Sequence, residues 1–285
     1  MTPDYLFAMK RAGVVLAGLL AAAAVASAAL PQPARSRIQD DGFHSAGISE
    51  TLHYEVYLPA DYWTSTRRYP VVYFLHGLPS GAKAYESLGF VERALDGTGR
   101  AAILVVPQGA RYDESDPEYV DHAPGDRWET AIGTELPAVV DERYRTIGTR
   151  TGRAIVGLSA GGFGAMHIGI DHLDRFAAIE SWSGYFHPTD PTGTKPLALG
   201  PADDVHDQIR ATRRTIKRLH TMLAFYVGDG DARFLAENRQ VNAELVSDGI
   251  PHTFRVYAGG HAQSLWSAHA VAWLSLALDH LDAAR

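Results

Sequence analysis

From residue 50 onward, short apolar stretches alternate with longer segments in which apolar residues recur at helical spacing. The stretches VVYFL (71–75) and AAILVV (101–106) are nearly continuous in apolar residues, as expected of strands covered on both faces. Segments such as AYESLGFVERALD and FLAENRQVNAELVSDG carry the helical pattern between them. This alternation predicts βαβ units and an α/β fold, with a mostly parallel central sheet and helices on both faces.

The first thirty residues have a different pattern. Lys10 and Arg11 precede nineteen uncharged residues, and Ala26-Ser27-Ala28 supplies the small residues of a cleavage site. This predicts a secretory signal peptide over 1–28, although a retained run of that length could instead anchor the chain in a membrane. Residues 29–49 are interpreted as an N-terminal extension and 50–285 as one domain, because no linker divides them. We expect a protein that is secreted, in the medium or the cell envelope, without stable membrane insertion after cleavage.

Composition narrows the possible chemistry. The 285 residues include 26 Lys and Arg against 33 Asp and Glu, a formal net charge of −7 at pH 7, and no long basic run. This argues against a nucleic-acid partner, because binding nucleic acid requires clustered cations. The chain has no cysteine, which excludes disulfides, thiolate metal ligands and a cysteine nucleophile. Any catalysis must therefore use oxygen and nitrogen atoms.

One motif points to a nucleophile. The segment GLSAG, with Ser159 at its centre, fits the pattern G-x-S-x-G and lies between the predicted strand RAIVGL and the predicted helix AGGFGAMHIGI. A serine on such a strand-to-helix turn stands clear of the sheet near the positive end of the helix dipole, and the flanking glycines relieve crowding. This context favours a catalytic serine over a glycine-rich turn that happens to contain one.

A serine nucleophile needs a base, and in this topology an acid and a histidine follow it in that order. The strand in TMLAFYVGDGDARF ends near Asp229 and Asp231, and the strand in FRVYAGGHAQSLW ends near His261. Because the carboxyl ends of parallel strands meet at one sheet edge, these side chains are predicted to approach Ser159. Either aspartate could orient the imidazole; we favour Asp231. A calcium loop is excluded, since Arg233 stands where a third oxygen ligand is needed.

Two backbone amides would complete such a site by holding a developing oxyanion. Ala160 follows the nucleophile, and Leu78 follows an earlier strand, with Gly77 allowing close approach. His76 is expected to brace this loop. No metal ion or organic cofactor is needed. Four aromatic residues near predicted strand ends are candidate substrate contacts: Trp128, Trp182, Tyr185 and Trp266.

The segments YFLHGLPSG, RAIVGLSAGGFGAMHIGIDHLDRFAAIESWSG, GDGDARFLAENRQVNAEL and GIPHTFRVYAGGHAQSLW together resemble the esterase D-like family of α/β-hydrolases, over most of residues 50–280. That family includes S-formylglutathione hydrolases, feruloyl and acetylxylan esterases, and the antigen 85 mycolyltransferases. The resemblance implies the α/β-hydrolase fold, a triad of Ser159, Asp231 and His261, and an oxyanion hole from the Leu78 and Ala160 amides. The predicted export signal does not fit the S-formylglutathione hydrolases, because that branch of the family resembles cytosolic enzymes.

These observations predict an exported serine carboxylic ester hydrolase that works through an acyl-enzyme. An acyltransferase that passes the acyl group to a sugar or lipid alcohol would use the same triad. A non-catalytic, hydrolase-like binding protein is a third possibility, but such proteins usually lack a triad residue, and all three are present here. The expected partner is a small-molecule, carbohydrate or lipid ester. The acyl and alcohol parts and the oligomeric state stay open.

Overall fold

A computed structural model describes residues 37–78, 83–111, 119–188 and 200–285. The predicted signal segment, 1–28, lies outside these residues. The strands are β1 Ile38–Ser45, β2 Glu50–Tyr57, β3 Val71–Leu75, β4 Ile103–Pro107, β5 Asp121–Ala123, β6 Asp126–Arg127, β7 Arg153–Leu158, β8 Ala178–Trp182, β9 Met222–Gly228 and β10 His252–Tyr257. The α-helices are α1 Gly89–Gly97, α2 Trp128–Thr130, α3 Leu136–Arg143, α4 Ala160–Asp171, α5 Val205–Leu219, α6 Leu235–Ser247 and α7 Gln263–Asp279.

Eight strands form one sheet in the order β1-β2-β4-β3-β7-β8-β9-β10. β2 pairs antiparallel with β1 and β4, and every other neighbouring pair is parallel. This confirms the predicted mostly parallel sheet. The strand β1 lies within the segment interpreted as an N-terminal extension, so from Ile38 that segment belongs to the sheet. β5 and β6 form a separate two-stranded hairpin.

Helices cover both faces of the sheet and create two apolar cores. Along β3, Val71, Tyr73 and Leu75 belong to the core that also contains residues of α4, α5 and α6. Val72 and Phe74 belong to the core that contains residues of α1 and α7. Successive side chains of a strand point to opposite faces, so a strand between two helical layers must be apolar at every position. All five of these side chains are buried.

The connections place four strand ends at one edge of the sheet. The parallel strands β3, β7, β9 and β10 run in the same direction, and the loops after them contain Gly77, Ser159, Asp231 and His261 respectively. Ligand sites in α/β sheets form at this carboxyl edge. Within the part of the chain described above, none of the helices combines the length and the apolar character needed to cross a membrane.

Candidate active site

Ser159 occupies a strained turn between β7 and α4. Its backbone angles are φ 54° and ψ −120°, in a region that non-glycine residues rarely adopt. A Cβ atom on Gly157 would collide with the Gly161 carbonyl, and one on Gly161 would collide with the carbonyl of Leu75. Both glycines of the motif are therefore required by close backbone contacts. The turn directs Ser159 to the start of α4, where unpaired amides and the helix dipole favour negative charge.

His261 lies between Ser159 and Asp231. Its Nδ1 is 2.6 Å from Asp231 Oδ2, and its Nε2 is 2.8 Å from Ser159 Oγ. An ionised carboxylate can only accept, so the ring proton is on Nδ1, and Nε2 accepts from the serine hydroxyl. The Asp231 side chain is 1% exposed and that of His261 16%. The imidazole is thus held in the tautomer that can take the serine proton.

The other candidate aspartate, Asp229, does not contact the His261 ring. Its side chain is exposed and accepts a hydrogen bond from the Gly259 amide at 2.9 Å, while its own amide donates to the Tyr257 carbonyl at 2.8 Å. Asp229 therefore ties the loop after β9 to the loop after β10. Of the two candidates, only Asp231 contacts the imidazole of His261.

The loop after β3 lies directly against the serine. A Cβ atom on Gly77 would be 2.8 Å from the Cβ of Ser159, so only glycine allows this approach. Leu78 follows at the rim of the same cleft. Neither the Leu78 amide nor the Ala160 amide donates a hydrogen bond to another residue in the described ranges. Within those ranges, neither amide has an acceptor in the protein, as the predicted oxyanion hole requires.

His76 braces this loop from below. Burial lowers its pKa to about 4, although a contact between Nδ1 and the Gly77 carbonyl opposes that shift, so the ring is neutral near pH 7. Its own carbonyl accepts a hydrogen bond of 2.8 Å from the hydroxyl of Tyr119. The ring of Tyr119 in turn packs where a side chain on Gly164 would otherwise be. These contacts support the structural role expected for His76, which is to brace the loop after β3.

A cleft of about 220 Å³ opens beside the triad. Its walls include Leu78, Leu88, Phe90, Leu158 and Trp266. The Trp266 ring stands perpendicular to the ring of His261, with 5.1 Å between the centroids. Among the four aromatic candidates, Trp266 is the one that lines this cleft.

The other three candidates have buried side chains and present little or no surface to a ligand. Trp128 and Trp182 are 0% exposed. Trp182 points into the core below the sheet, where it packs on Phe74 and donates to Glu180 Oε2 at 3.0 Å. Trp128 is covered by the guanidinium of Arg111. Proximity of a strand end does not set the side-chain direction, and these two tryptophans stabilise the fold instead.

Tyr185 is 6% exposed and belongs to an aromatic stack beneath the site. It stacks on Phe163 and contacts Phe234, whose ring centroid is 5.3 Å from that of His261. The position of Phe234 behind the histidine was not predicted, because nothing in its local pattern separates it from an ordinary core residue. Tyr119 was missed as well; the small residues of AGGFG were the one sign that a large ring packs closely on α4.

Comparisons with known proteins identify relatives of this chain. A sequence model of the family described as "Putative esterase" matches residues 45–274. Esterase Rv1288 of Mycobacterium tuberculosis is 34% identical over 256 residues, which cover 77% of this chain and 54% of the relative. The chain therefore spans about half the length of the curated relatives it matches first.

Solved structures share the fold. A ferulic acid esterase superposes with a TM-score of 0.73 and 26% sequence identity, covering 86% of this chain and 98% of that one. An S-formylglutathione hydrolase from Staphylococcus aureus superposes with a TM-score of 0.68 and 19% identity, covering 84% and 100%. The chain has the α/β-hydrolase fold that the resemblance implied.

Proposed function

Because the chain belongs to the esterase family whose sequence model covers residues 45–274, we propose that it is an exported serine carboxylic ester hydrolase acting through an acyl-enzyme. The observation that carries the proposal is the continuous chain of hydrogen bonds from Ser159 Oγ through the His261 ring to Asp231. The hydrogen-bond distances of 2.8 Å and 2.6 Å along this chain support the roles of nucleophile, base and orienting carboxylate.

In acylation, Ser159 Oγ attacks the ester carbonyl carbon while His261 Nε2 takes the hydroxyl proton. Asp231 stabilises the resulting imidazolium through Nδ1, and the amides of Leu78 and Ala160 hold the oxyanion. The tetrahedral intermediate then collapses. The carbon–oxygen bond to the alcohol breaks, and Nε2 returns its proton to the departing oxygen. The product of this half-reaction is a free alcohol and an ester on Ser159.

In deacylation, water takes the place of the alcohol. His261 Nε2 removes a proton from the water as its oxygen attacks the acyl carbon, and the same two amides stabilise the second oxyanion. Collapse releases the carboxylic acid and returns the proton to Ser159 Oγ. The net reaction is ester plus water giving acid plus alcohol, with no cofactor consumed.

The cleft beside His261, which Ser87 and Gln263 line together with apolar side chains, supports an aromatic acyl group. Its aliphatic walls and the Trp266 ring offer no charged partner to an acyl chain, and aromatic faces bind planar groups well. A panel of p-nitrophenyl esters of increasing acyl length, with methyl ferulate as the aromatic member, would define this preference. Replacing Trp266 by alanine should raise KM for methyl ferulate more than for p-nitrophenyl acetate.

The decisive experiment compares wild type with Ser159→Ala in a p-nitrophenyl acetate assay. Loss of the nucleophile should lower kcat by about 10⁶-fold, as in comparable triads. Thr98→Ala, a change just after the C-terminal end of α1 and outside the cleft lining, serves as a control that should keep wild-type activity. Hydrolysis surviving in Ser159→Ala would refute the assignment, and products analysed with added trehalose would separate hydrolysis from acyl transfer.

Export is part of the proposal and is supported by the pattern of residues 1–28. Expression with this segment should deliver the protein beyond the cytoplasmic membrane, with an N-terminus near Ala29. Edman sequencing of the exported protein measures this directly. A chain that stays in the cytoplasm with Met1 intact would contradict export while leaving the esterase proposal untouched.

A further inference from the structure

A second group of chemically active side chains lies outside the triad, between the loop after β8 and the helices α5 and α6. His187 comes from the loop, His206 from the first turn of α5, and Glu237 from the first turn of α6. One ligand atom from each lies within 4.8 Å of the others. The imidazoles of His187 and His206 stack with 4.4 Å between their centroids. The proposed esterase mechanism uses none of these residues.

Each imidazole is held by a carboxylate at Nδ1. His187 Nδ1 pairs with Asp204 Oδ2, and His206 Nδ1 donates to Glu244 Oε2 at 2.6 Å. Since a carboxylate accepts, Nδ1 of each ring carries a proton, and Nε2 offers a lone pair when the ring is neutral. This is the outer-shell arrangement that orients histidine ligands of metal ions.

Both Nε2 atoms face the carboxylate of Glu237. The distances to Glu237 Oε1 are 3.9 Å from His187 Nε2 and 3.8 Å from His206 Nε2. These separations exceed the range of about 2.7–3.2 Å for N–H···O hydrogen bonds. His206 Nε2 is buried without a hydrogen-bond partner in the described chain, and its side chain is 3% exposed. The Nε2 atoms of His187 and His206 thus converge on the Glu237 carboxylate without reaching hydrogen-bond distance.

The separations suit a shared metal ion. Zinc bonds of about 2.0–2.2 Å place two tetrahedral ligand atoms about 3.3–3.6 Å apart, so small side-chain movements complete the contact. The carboxylate of Glu237 is already fixed, because its Oε1 accepts from the amides of Phe186 and His187 at 2.9 Å. The side chain of His187 is 42% exposed, which leaves a route for the ion and room for a water ligand.

A neighbouring cluster shows the contrasting case. His167 Nε2 and His172 Nε2 approach Glu129 at 3.2 Å and 3.3 Å, close enough to contact the carboxylate directly. His167 Nδ1 accepts a hydrogen bond of 2.8 Å from Gln208 Nε2, so the ring proton of His167 is on Nε2 and faces Glu129. The pairing of both Nδ1 atoms with carboxylates therefore distinguishes the cluster around Glu237.

We propose that His187, His206 and Glu237 bind a divalent transition-metal ion, Zn²⁺ by preference, which joins the loop after β8 to α5 and α6. Two imidazole nitrogens and one carboxylate oxygen are a donor set that zinc uses, with a fourth position for water. Asp204 and Glu244 act as positioning residues that orient the imidazoles.

The test is zinc binding by full-length protein purified without a polyhistidine tag and stripped of metal. Wild type is titrated with ZnCl₂ in competition with a chromophoric zinc indicator, alongside His187→Gln, Glu237→Gln and Asp204→Asn. His44→Gln, which removes an exposed imidazole on β1, is the matched control. Glu237→Gln keeps an oxygen that can accept from the two amides, so its fold is expected to persist.

Wild type and His44→Gln should each take up one equivalent of zinc, and zinc should raise their Tm. Asp204→Asn should bind about 10–100-fold more weakly, and loss of a ligand in His187→Gln or Glu237→Gln should cost more than that and abolish the rise in Tm. If wild type takes up no zinc in competition, the histidines are ion-pair partners only and the proposal fails. It fails equally if Glu237→Gln and His187→Gln keep wild-type affinity.

Discussion

Replacing Asp231 by asparagine tests the geometry of the site most directly. The Asp231 carboxylate lies 2.6 Å from His261 Nδ1 and is almost fully buried, so water cannot take its place. An asparagine that turns its NH₂ group toward Nδ1 moves the ring proton to Nε2, which then cannot accept from Ser159. An asparagine that turns its oxygen toward Nδ1 still removes the negative charge beside the developing imidazolium.

We expect kcat for p-nitrophenyl acetate to fall by about 10⁴-fold, equivalent to about 5.4 kcal/mol of transition-state stabilisation. The matched control is Asp229→Asn, in which the amide oxygen still accepts from Gly259, so kcat should stay within about threefold of wild type. Circular dichroism and Tm establish that both variants fold. The reasoning is refuted if Asp231→Asn keeps more than a tenth of wild-type kcat, or if Asp229→Asn loses as much as Asp231→Asn.

Three further predictions concern close packing and buried charge. Gly77→Ala places a methyl group 2.8 Å from the Cβ of Ser159 and should lower kcat at least about 10²-fold. In the control Gly89→Ala the nearest atom to the new methyl group is 3.4 Å away, so kcat should stay at the wild-type value. Burial alone would raise the pKa of Glu129, but hydrogen bonds from two histidines lower that pKa from 4.5 to about 2. The ionised carboxylate therefore contributes about 3 kcal/mol of stability, which is lost as the pH falls from about 4.5 to about 2. In urea unfolding at pH 6 and pH 3, Glu129→Gln should be the less stable protein at pH 6 and should lose less on acidification; equal losses would contradict the ion pairs. Burial raises the pKa of Glu180 well above 4.5, so the folded protein keeps a proton that the unfolded chain releases, and stability falls as the pH rises above about 4.5. Between pH 5 and pH 7, Glu180→Gln should reduce the fall in the free energy of unfolding by up to about 1.4 kcal/mol per pH unit. An unchanged slope of this free energy against pH would show that Glu180 ionises in the folded state.

The order of elements was predictable because it depends on local patterns. Strands covered on both faces leave continuous apolar stretches, and β3, β4 and β7 follow such stretches closely. The edge strand β1 was not recognised, since IQDDGFHS is polar and most of its side chains are partly or fully exposed. An antiparallel edge strand needs no apolar alternation when its neighbour supplies the hydrogen bonds.

The candidate site was likewise predictable only in part. The order of serine, aspartate and histidine after β7, β9 and β10 was enough to predict that Ser159 and His261 meet. It favoured Asp231 but did not exclude Asp229, because residues two apart have the same local character. Their different directions arise from hydrogen bonds across thirty residues, in which Asp229 continues the pairing with the loop after β10. The roles of Leu78 and Ala160 in holding an oxyanion stay a prediction.

The sequence by itself determined which segments become strands and helices, and which residue types reach the carboxyl edge of the sheet, because neighbours along the chain control both. Only the tertiary structure decided where each side chain points once it is there. It buried Trp128 and Trp182, left Trp266 beside His261, and set His187 and His206 around Glu237. Those directions depend on packing and hydrogen bonds between segments that are distant in the chain, and no local pattern records such contacts.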